Sequence, residues 1–251
     1  MFFTIGSERI RVNIPDRIAL ISEITRRFRA GEGFALATVN LDHLVKMSRD
    51  ASFAATYADQ DLIVADGRPI VWLSRLARHP VELVPGSDMV IPLARLAAAE
   101  TVPVALVGST QDALRDASKI LSKNAKNLNV VCEISPEYGF DPDGEEADRI
   151  LLELDAKKVG LCFLALGAPK QERLAARGRS LAPGVGFASV GAGLDFLGGH
   201  QKRAPMWMRR FGLEWLWRAL ADPIRLVPRY AQCFAILPSQ MRAAIRLRNG
   251  S

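Results

Sequence analysis

The chain has 251 residues, 49% of them hydrophobic, and a formal net charge of +6. That is enough apolar material for one large core or two small ones. No apolar run approaches the roughly 18 residues that a membrane-spanning helix needs. The opening MFFTIGSERIRV carries charges within ten positions and lacks a signal-peptide pattern, so a cytosolic protein is expected.

Phe2–Ile5 and Arg9–Val12 flank Gly6-Ser7 and predict a hairpin. Asp16 is placed to cap a helix through about Arg29. Phe34–Asn40 follows as a strand, with Asn40 as the cap of a helix over Leu41–Ser48. Phe53–Ala58 is helical, Leu62–Ala65 is a strand, and a helix runs on to about Arg78. In Val84-Pro-Gly-Ser-Asp88, either Ser87 or Asp88 can cap a helix reaching Glu100. Val102–Val107 is a strand, and Ser109-x-x-Asp112 fits a capping box opening a helix to about Ser122. Then come the strand Leu128–Ile134, the loop Ser135–Gly144, and a helix over Glu145–Asp155 with Asp143 as its cap. The strand Leu161–Leu166, a helix over Pro169–Arg177 and the strand Val185–Val190 complete the series. Strands alternating with helices predict an α/β fold, a mostly parallel sheet with helices on both faces.

After Gly199 the character changes. From residue 201 onward there are ten basic residues and two acids, a charge of +8, which leaves −2 for residues 1–200. Three of the four tryptophans, Trp207, Trp215 and Trp217, lie here, and Pro205, Pro223, Pro228 and Pro238 are expected to cut the segment into short helices. Residues 1–199 are therefore taken as an α/β core and 200–251 as a separate basic, Trp/Arg-rich helical appendage. Such a segment seeks phosphates: nucleic acid, anionic lipid or a phosphorylated substrate. Cys132, Cys162 and Cys233 are far apart and are expected to be buried free thiols. His43, His79 and His200 lack metal-ligand spacing, and His43 is expected on a helix surface.

Three strand ends carry polar groups suited to chemistry. Leu62–Ala65 stops at Asp66-Gly67, Phe34–Val39 ends with Thr38 and Asn40, and the Leu161 strand runs into Gly167-Ala-Pro-Lys-Gln171-Glu172. Open α/β sheets bind ligands at the carboxyl ends of their strands. An Asp-Gly turn alone would explain Asp66 equally well. Gly108-Ser-Thr and Gly167-Ala-Pro-Lys-Gln both lead from strands into helices, where backbone N–H groups can bind phosphate. Neither is a dinucleotide or P-loop fingerprint. The triplets Asp59-Gln-Asp61 and Asp141-Pro-Asp143 suggest metal ligation, but the first precedes its strand and the second lies in a turn. No metal site and no cofactor is expected.

Ten motifs in register carry a resemblance. They are Thr38-x-Asn40, Ala-Asp66-Gly67, Pro-Gly-Ser-Asp88, Leu-Val-Gly108-Ser and Gly-Phe140; Leu-Gly167-x-Pro-Lys-Gln171-Glu172, Gly-Ala-Gly-x-Asp195-Phe-Leu-Gly-Gly and Arg203-Ala-Pro; and Leu-Glu214-Trp-x-x-Arg218 and Asp-Pro-x-Arg225-Leu-x-x-Arg229-Tyr230. From about residue 4 to 235 the chain resembles the WecG/TagA/CpsF glycosyltransferases of bacterial surface-polysaccharide synthesis. The resemblance implies a Rossmann-like sheet and an inverting, metal-independent enzyme. Such an enzyme moves a sugar from a UDP donor to a polyprenyl-pyrophosphate-linked acceptor. It would work as a peripheral protein on the inner face of the cytoplasmic membrane, held by the anionic lipid surface.

By the same resemblance Asp66 corresponds to the general base, and Thr38, Asn40 and Gln171 to donor-binding residues. Asp195 and an aromatic of the Tyr138–Phe140 loop correspond to residues that hold uridine. Gly108, Ser109, Gly167 and Gly191 belong to the matching strand-end turns. Arg203, Arg218, Arg225 and Arg229 fall in the family's basic appendage. Two departures leave the sugar open among N-acetylmannosamine, its uronic acid and glucose: Arg173 and Leu174 stand where the family carries an aromatic, and the aromatic loop reads Tyr-Gly-Phe.

Two rival readings remain at this stage. A nucleic-acid-binding protein would use the same arginines and tryptophans, and no nucleic acid is the expectation only because it leaves Thr38, Asn40, Asp66 and Gln171 without a task. A nucleotide-dependent oxidoreductase lacks its phosphate fingerprint. The tryptophan run also suits a homo-oligomer surface.

Overall fold

The computed structural model describes residues 1–250, with Arg210 described by its backbone alone. Ser251, the last residue of the expected appendage, lies outside them. In chain order the elements are β1 (Phe2–Ile5), β2 (Glu8–Arg11), α1 (Arg17–Ala30), β3 (Phe34–Val39), α2 (Leu41–Arg49), α3 (Ala51–Ala58), β4 (Leu62–Ala65), α4 (Arg68–Leu76), α5 (Gly86–Ala99) and β5 (Val104–Gly108). There follow α6 (Gln111–Asn124), β6 (Val130–Ile134), α7 (Glu145–Ala156), β7 (Leu161–Ala165), α8 (Lys170–Leu181), β8 (Gly186–Ser189), α9 (Gly193–Gly198), α10 (Met206–Phe211), α11 (Glu214–Ala221) and α12 (Pro223–Asn249).

Six strands form one parallel sheet in the order β4-β3-β8-β7-β5-β6, and β1 and β2 form a separate hairpin. Because every strand points the same way, all six carboxyl ends meet on one rim. The chain steps outward from β3 to β4 and, in the opposite direction, from β5 to β6. Ligand crevices open at such reversals. Strands β3, β4, β5, β7 and β8 are buried on both faces, as continuous apolar runs require, and the edge strand β6 is half-buried. Leu36, Val64, Leu106 and Phe163 meet α1, α5, α6 and α9 on one face. Ala37, Val39, Ile63 and Ala65 meet α2, α3, α4 and the hairpin on the other, next to a third cluster under α7 and α8. The expected α/β architecture is what the protein has.

The C-terminal segment departs from expectation. Pro228 and Pro238 lie inside the continuous, 27-residue α12. Each proline removes one helical hydrogen bond, at a cost of about 3 kcal/mol in an interior position. Both sit on the outer face, and the carbonyls left without a donor belong to the exposed Ile224 and Phe234, where water can replace it. The inner face holds the helix together: Cys233, Ile236, Leu237, Ala244 and Leu247 pack into the cluster beneath α2 and α4. Arg229 adds an ion pair to Asp42 at 2.6 Å.

Three expected caps are also reassigned. Asp16 and Asn40 do cap α1 and α2. Helix α6 is capped by Thr110, helix α5 opens after Pro85 with no side-chain cap, and α7 opens at Gly144. Ser87, Asp88, Ser109 and Asp143 all bond to distant residues instead. Among the thiols, Cys162 and Cys233 are buried and Cys132 is half-buried.

Candidate active site

Asp66 sits at the rim because β4 runs out at Ala65. Its backbone N–H still pairs with the Val39 carbonyl at 2.8 Å, so the residue is held as a strand extension. Gly67, with φ of 90°, then turns the chain into α4, a conformation that side chains with a Cβ rarely adopt. Asn40 Oδ1 accepts from the His43 N–H at 3.1 Å as the cap of α2. That fixes the amide, and Nδ2 is turned to donate to Asp66 Oδ2 at 3.4 Å.

Burial is the main influence on the Asp66 carboxyl and pushes its pKa up to about 6. The nearby carboxylates of Glu214 and Asp88 add to the rise, while the Asn40 bond and the Arg218 charge oppose it. A partly exposed carboxyl with a pKa near 6 is mainly ionised at neutral pH yet far more basic than an ordinary aspartate. Those are the properties of a general base.

Thr38, one strand over, is buried. The Pro85-Gly86 turn lies on it so closely that a Cβ at Gly86 would come within 3.1 Å of Thr38 Cγ2 and of the Ser189 carbonyl. Behind Thr38, His43 is buried rather than on the surface. Its Nδ1 lies 3.2 Å from the Tyr57 hydroxyl and it bonds the Thr38 backbone. Helices α3 and α12 close over α2, and burial drives the imidazole pKa down to about 4, so the ring is neutral.

Gln171 is locked. Its Oε1 accepts from the Gly191 N–H at 3.1 Å, and its Nε2 donates to Glu172 Oε1 at 2.9 Å. This bond ties the end of β7 to the end of β8. Glu172 is fully buried, its Oε2 has no partner, and burial raises its pKa to about 7. The folded protein therefore keeps a proton here that the unfolded chain releases near pH 4.5, so this group's contribution to stability falls as pH rises from about 4.5 to 7. Glu172→Gln should gain stability over wild type by roughly 3 kcal/mol on going from pH 4 to pH 8. Denaturant melts of both proteins at the two pH values check this.

Gly108, Ser109 and Asp195 meet across the crevice. Gly108 has φ of 109°, and a Cβ there would lie 2.6 Å from the Ala165 carbonyl carbon, so glycine is required. Ser109, itself at positive φ, donates its hydroxyl to Asp195, and Gln201 donates to the other Asp195 oxygen at 2.7 Å. In the β6–α7 loop Phe140 is buried in the core, whereas Tyr138 is fully exposed. Gly167, with φ of 72°, precedes α8, whose N-terminus carries no side-chain cap.

The four arginines are dispersed. Arg203 bonds Asp88 at 2.6 Å and Ser87 at 3.0 Å, and Arg209 pairs with the same Asp88 at 3.0 Å. Arg218 places its charge near Asp66. Arg229 is committed to Asp42, and Arg225 is exposed and paired with its neighbour Asp222. The sequence offered Asp88 only as a cap and gave Arg209 no role; their pairing spans 121 positions. Glu214 lies 3.8 Å from Arg203 and acts on Asp66 through space. The Asp-x-Asp motifs serve structure: Asp61 bonds the Ala35 N–H and Arg179 at the opposite end of the sheet, and Asp143 pairs with Arg173.

A crevice above a parallel sheet, with a basic carboxylate on one side and glycine turns opening helices on the other, suits transfer of a group from a phosphorylated donor. The model of the glycosyl transferase WecG/TagA/CpsF family matches residues 8–250. The chain belongs to this family. This glycosyltransferase is also similar to the N-acetylglucosaminyldiphosphoundecaprenol N-acetyl-beta-D-mannosaminyltransferase of Bacillus subtilis (strain 168), at 27% identity over 207 residues, covering 79% of this chain and 78% of the relative. The match includes every strand from β3 to β8, and therefore the whole rim of the glycosyltransferase.

Proposed function

We propose that the protein transfers a sugar from a UDP donor to a polyprenyl-diphosphate-linked acceptor, with inversion and without a metal. The observation that carries this reading is the elevated, partly exposed Asp66 carboxyl, oriented by Asn40 on the rim of the sheet. Asp66 takes the proton of the acceptor hydroxyl as that oxygen attacks the anomeric carbon. The bond from that carbon to the UDP phosphate oxygen breaks on the opposite side, and UDP leaves with the electron pair. The uncapped α8 N-terminus and Arg218 are suited to stabilise the departing charge.

In this reading Thr38, Asn40 and Gln171 line the donor site. Tyr138, with a free ring, is better placed than Phe140 to cover the uracil, beside Asp195. The relative's name specifies an N-acetylmannosaminyl group and an N-acetylglucosaminyl-diphospho-lipid acceptor, so an N-acetylhexosamine is the first donor sugar to test.

A polyprenyl acceptor stays in the bilayer, so the enzyme must reach the surface. No described helix is long and apolar enough to cross a membrane. Residues 200–251 instead present Trp207, Phe211, Leu220, Ile224 and Phe234 to solvent among their arginines. We assign the base and the donor site to residues 1–199 and docking on an anionic inner-membrane surface to 200–251, from which Arg218 reaches back to the site; the division is one of task rather than of core. The test is UDP release in EDTA from UDP-N-acetylhexosamines with a short-chain polyprenyl-diphosphate acceptor. Release that requires the acceptor is expected. Loss in EDTA, restored by manganese or magnesium, would reverse the metal-independent part of the reading. Absence of transfer with salt-sensitive binding to arbitrary oligonucleotides would favour a nucleic-acid role.

A further inference from the structure

We propose that a cleft on the outer side of α4 is the acceptor subsite, with Trp72 stacking on the acceptor sugar and Arg68 and Arg75 holding its diphosphate. The proposal rests on the transferase reading above and deepens it. The cleft, of about 290 Å³, is lined by Arg68, Val71, Trp72, Arg75, Glu82 and Leu83.

Its place follows from the sheet order. Strand β4 is an edge, and past it only the Ala65–Leu83 bridge continues the pairing. The donor-side residues Thr38, Gly191, Gln171 and Ser109 lie at or beyond the carboxyl ends of β3, β8, β7 and β5, all on one side of Asp66. A base that deprotonates the attacking hydroxyl must stand between donor and acceptor. The acceptor therefore arrives from the other side of Asp66, and that side is this cleft.

The side chains suit a sugar diphosphate. Arg68, Trp72 and Arg75 recur at i, i+4 and i+7, so they share one face of α4, while Ile70 and Leu73 point into the core. Trp72 is 57% exposed although its helix is firmly packed. Its open ring lies in the same cleft as the Arg68 and Arg75 guanidinium groups. An indole face matches the C–H face of a pyranose, and guanidinium groups match phosphate oxygens. Arg75 pairs with no carboxylate among the described residues, and Glu82 on the facing wall can accept from sugar hydroxyls. Arg68 also touches the appendage: its Nη2 donates to the Arg209 carbonyl at 3.4 Å, and a Cβ at Gly212 would fall 2.4 Å from its Cδ. The cleft thus adjoins both the catalytic turn and the segment assigned to the membrane, as a lipid-linked acceptor requires.

The test is steady-state kinetics of the full-length protein with UDP-N-acetylhexosamine and short-chain polyprenyl diphospho-N-acetylglucosamine. Trp72→Ala should raise the acceptor KM roughly tenfold, leave the donor KM within about twofold, and be largely rescued by Trp72→Phe. Arg75→Gln should raise the acceptor KM several-fold, and less so for an acceptor lacking the diphosphate. Titration calorimetry with the same acceptor needs no turnover and tests the subsite even if the transfer assay fails. Weaker acceptor binding by Trp72→Ala there supports the subsite on its own. An unchanged acceptor KM or affinity in Trp72→Ala overturns it. So does a loss of liposome binding or of self-association in its place, which would assign Trp72 to a membrane or to a second copy.

Discussion

Asp66→Asn should lower turnover by roughly 10²–10⁴-fold while UDP binding survives, the usual contribution of a general base. Asparagine keeps the shape of the side chain and its contact with Asn40, but it cannot take a proton. Steady-state rates and UDP titration on the same preparation separate the two effects. A mutant that keeps more than about half of its turnover would remove Asp66 from the chemistry. Asn40→Ala should give a smaller loss, because it frees the carboxyl without removing it and also uncaps α2.

Reversing Arg242, Arg246 and Arg248 to glutamate should weaken binding to anionic liposomes by at least about 100-fold at low salt. Each basic residue near such a surface contributes about 1 kcal/mol, and repulsion adds to the loss. The three are exposed at the end of α12 remote from Arg229 and the rim, and none joins an ion pair among the described residues. Transfer to a soluble short-chain acceptor should stay near the wild-type rate. Co-sedimentation beside the soluble assay checks both halves. Equal loss in the two assays would mean that the segment acts through the fold rather than through lipid.

The sheet and its rim were legible because the signals are local. An apolar run that ends in Asp-Gly, Asn-Leu-Asp or Gly-Ser-Thr marks a strand end whatever surrounds it. The Asn40 cap was readable for the same reason, since donor and acceptor are three residues apart. Ser109 misled because a capping box and a left-handed turn look alike in sequence. Its hydroxyl goes to Asp195, 86 positions away. The prolines of α12 misled because propensity was outweighed by packing of the inner face against α2 and α4. Helix α12 also helps bury His43, which no pattern within α2 announces. The pKa of Asp66 is set first by burial, then by the Asn40 bond and by Glu214, Arg218 and Asp88, charges brought in by α11 and α5 that no spacing rule could have assembled.

If Asp66 takes the acceptor proton, the pH dependence of kcat/KM for the acceptor must report its titration. The carboxyl must be ionised to act, and its pKa is raised to about 6. The rate should climb about tenfold per unit below that pH and level off above it, and this limb should be absent from the residual activity of Asp66→Asn. A profile that is flat from about pH 5 to 8, or a limb that persists unchanged in the mutant, would contradict this role of Asp66.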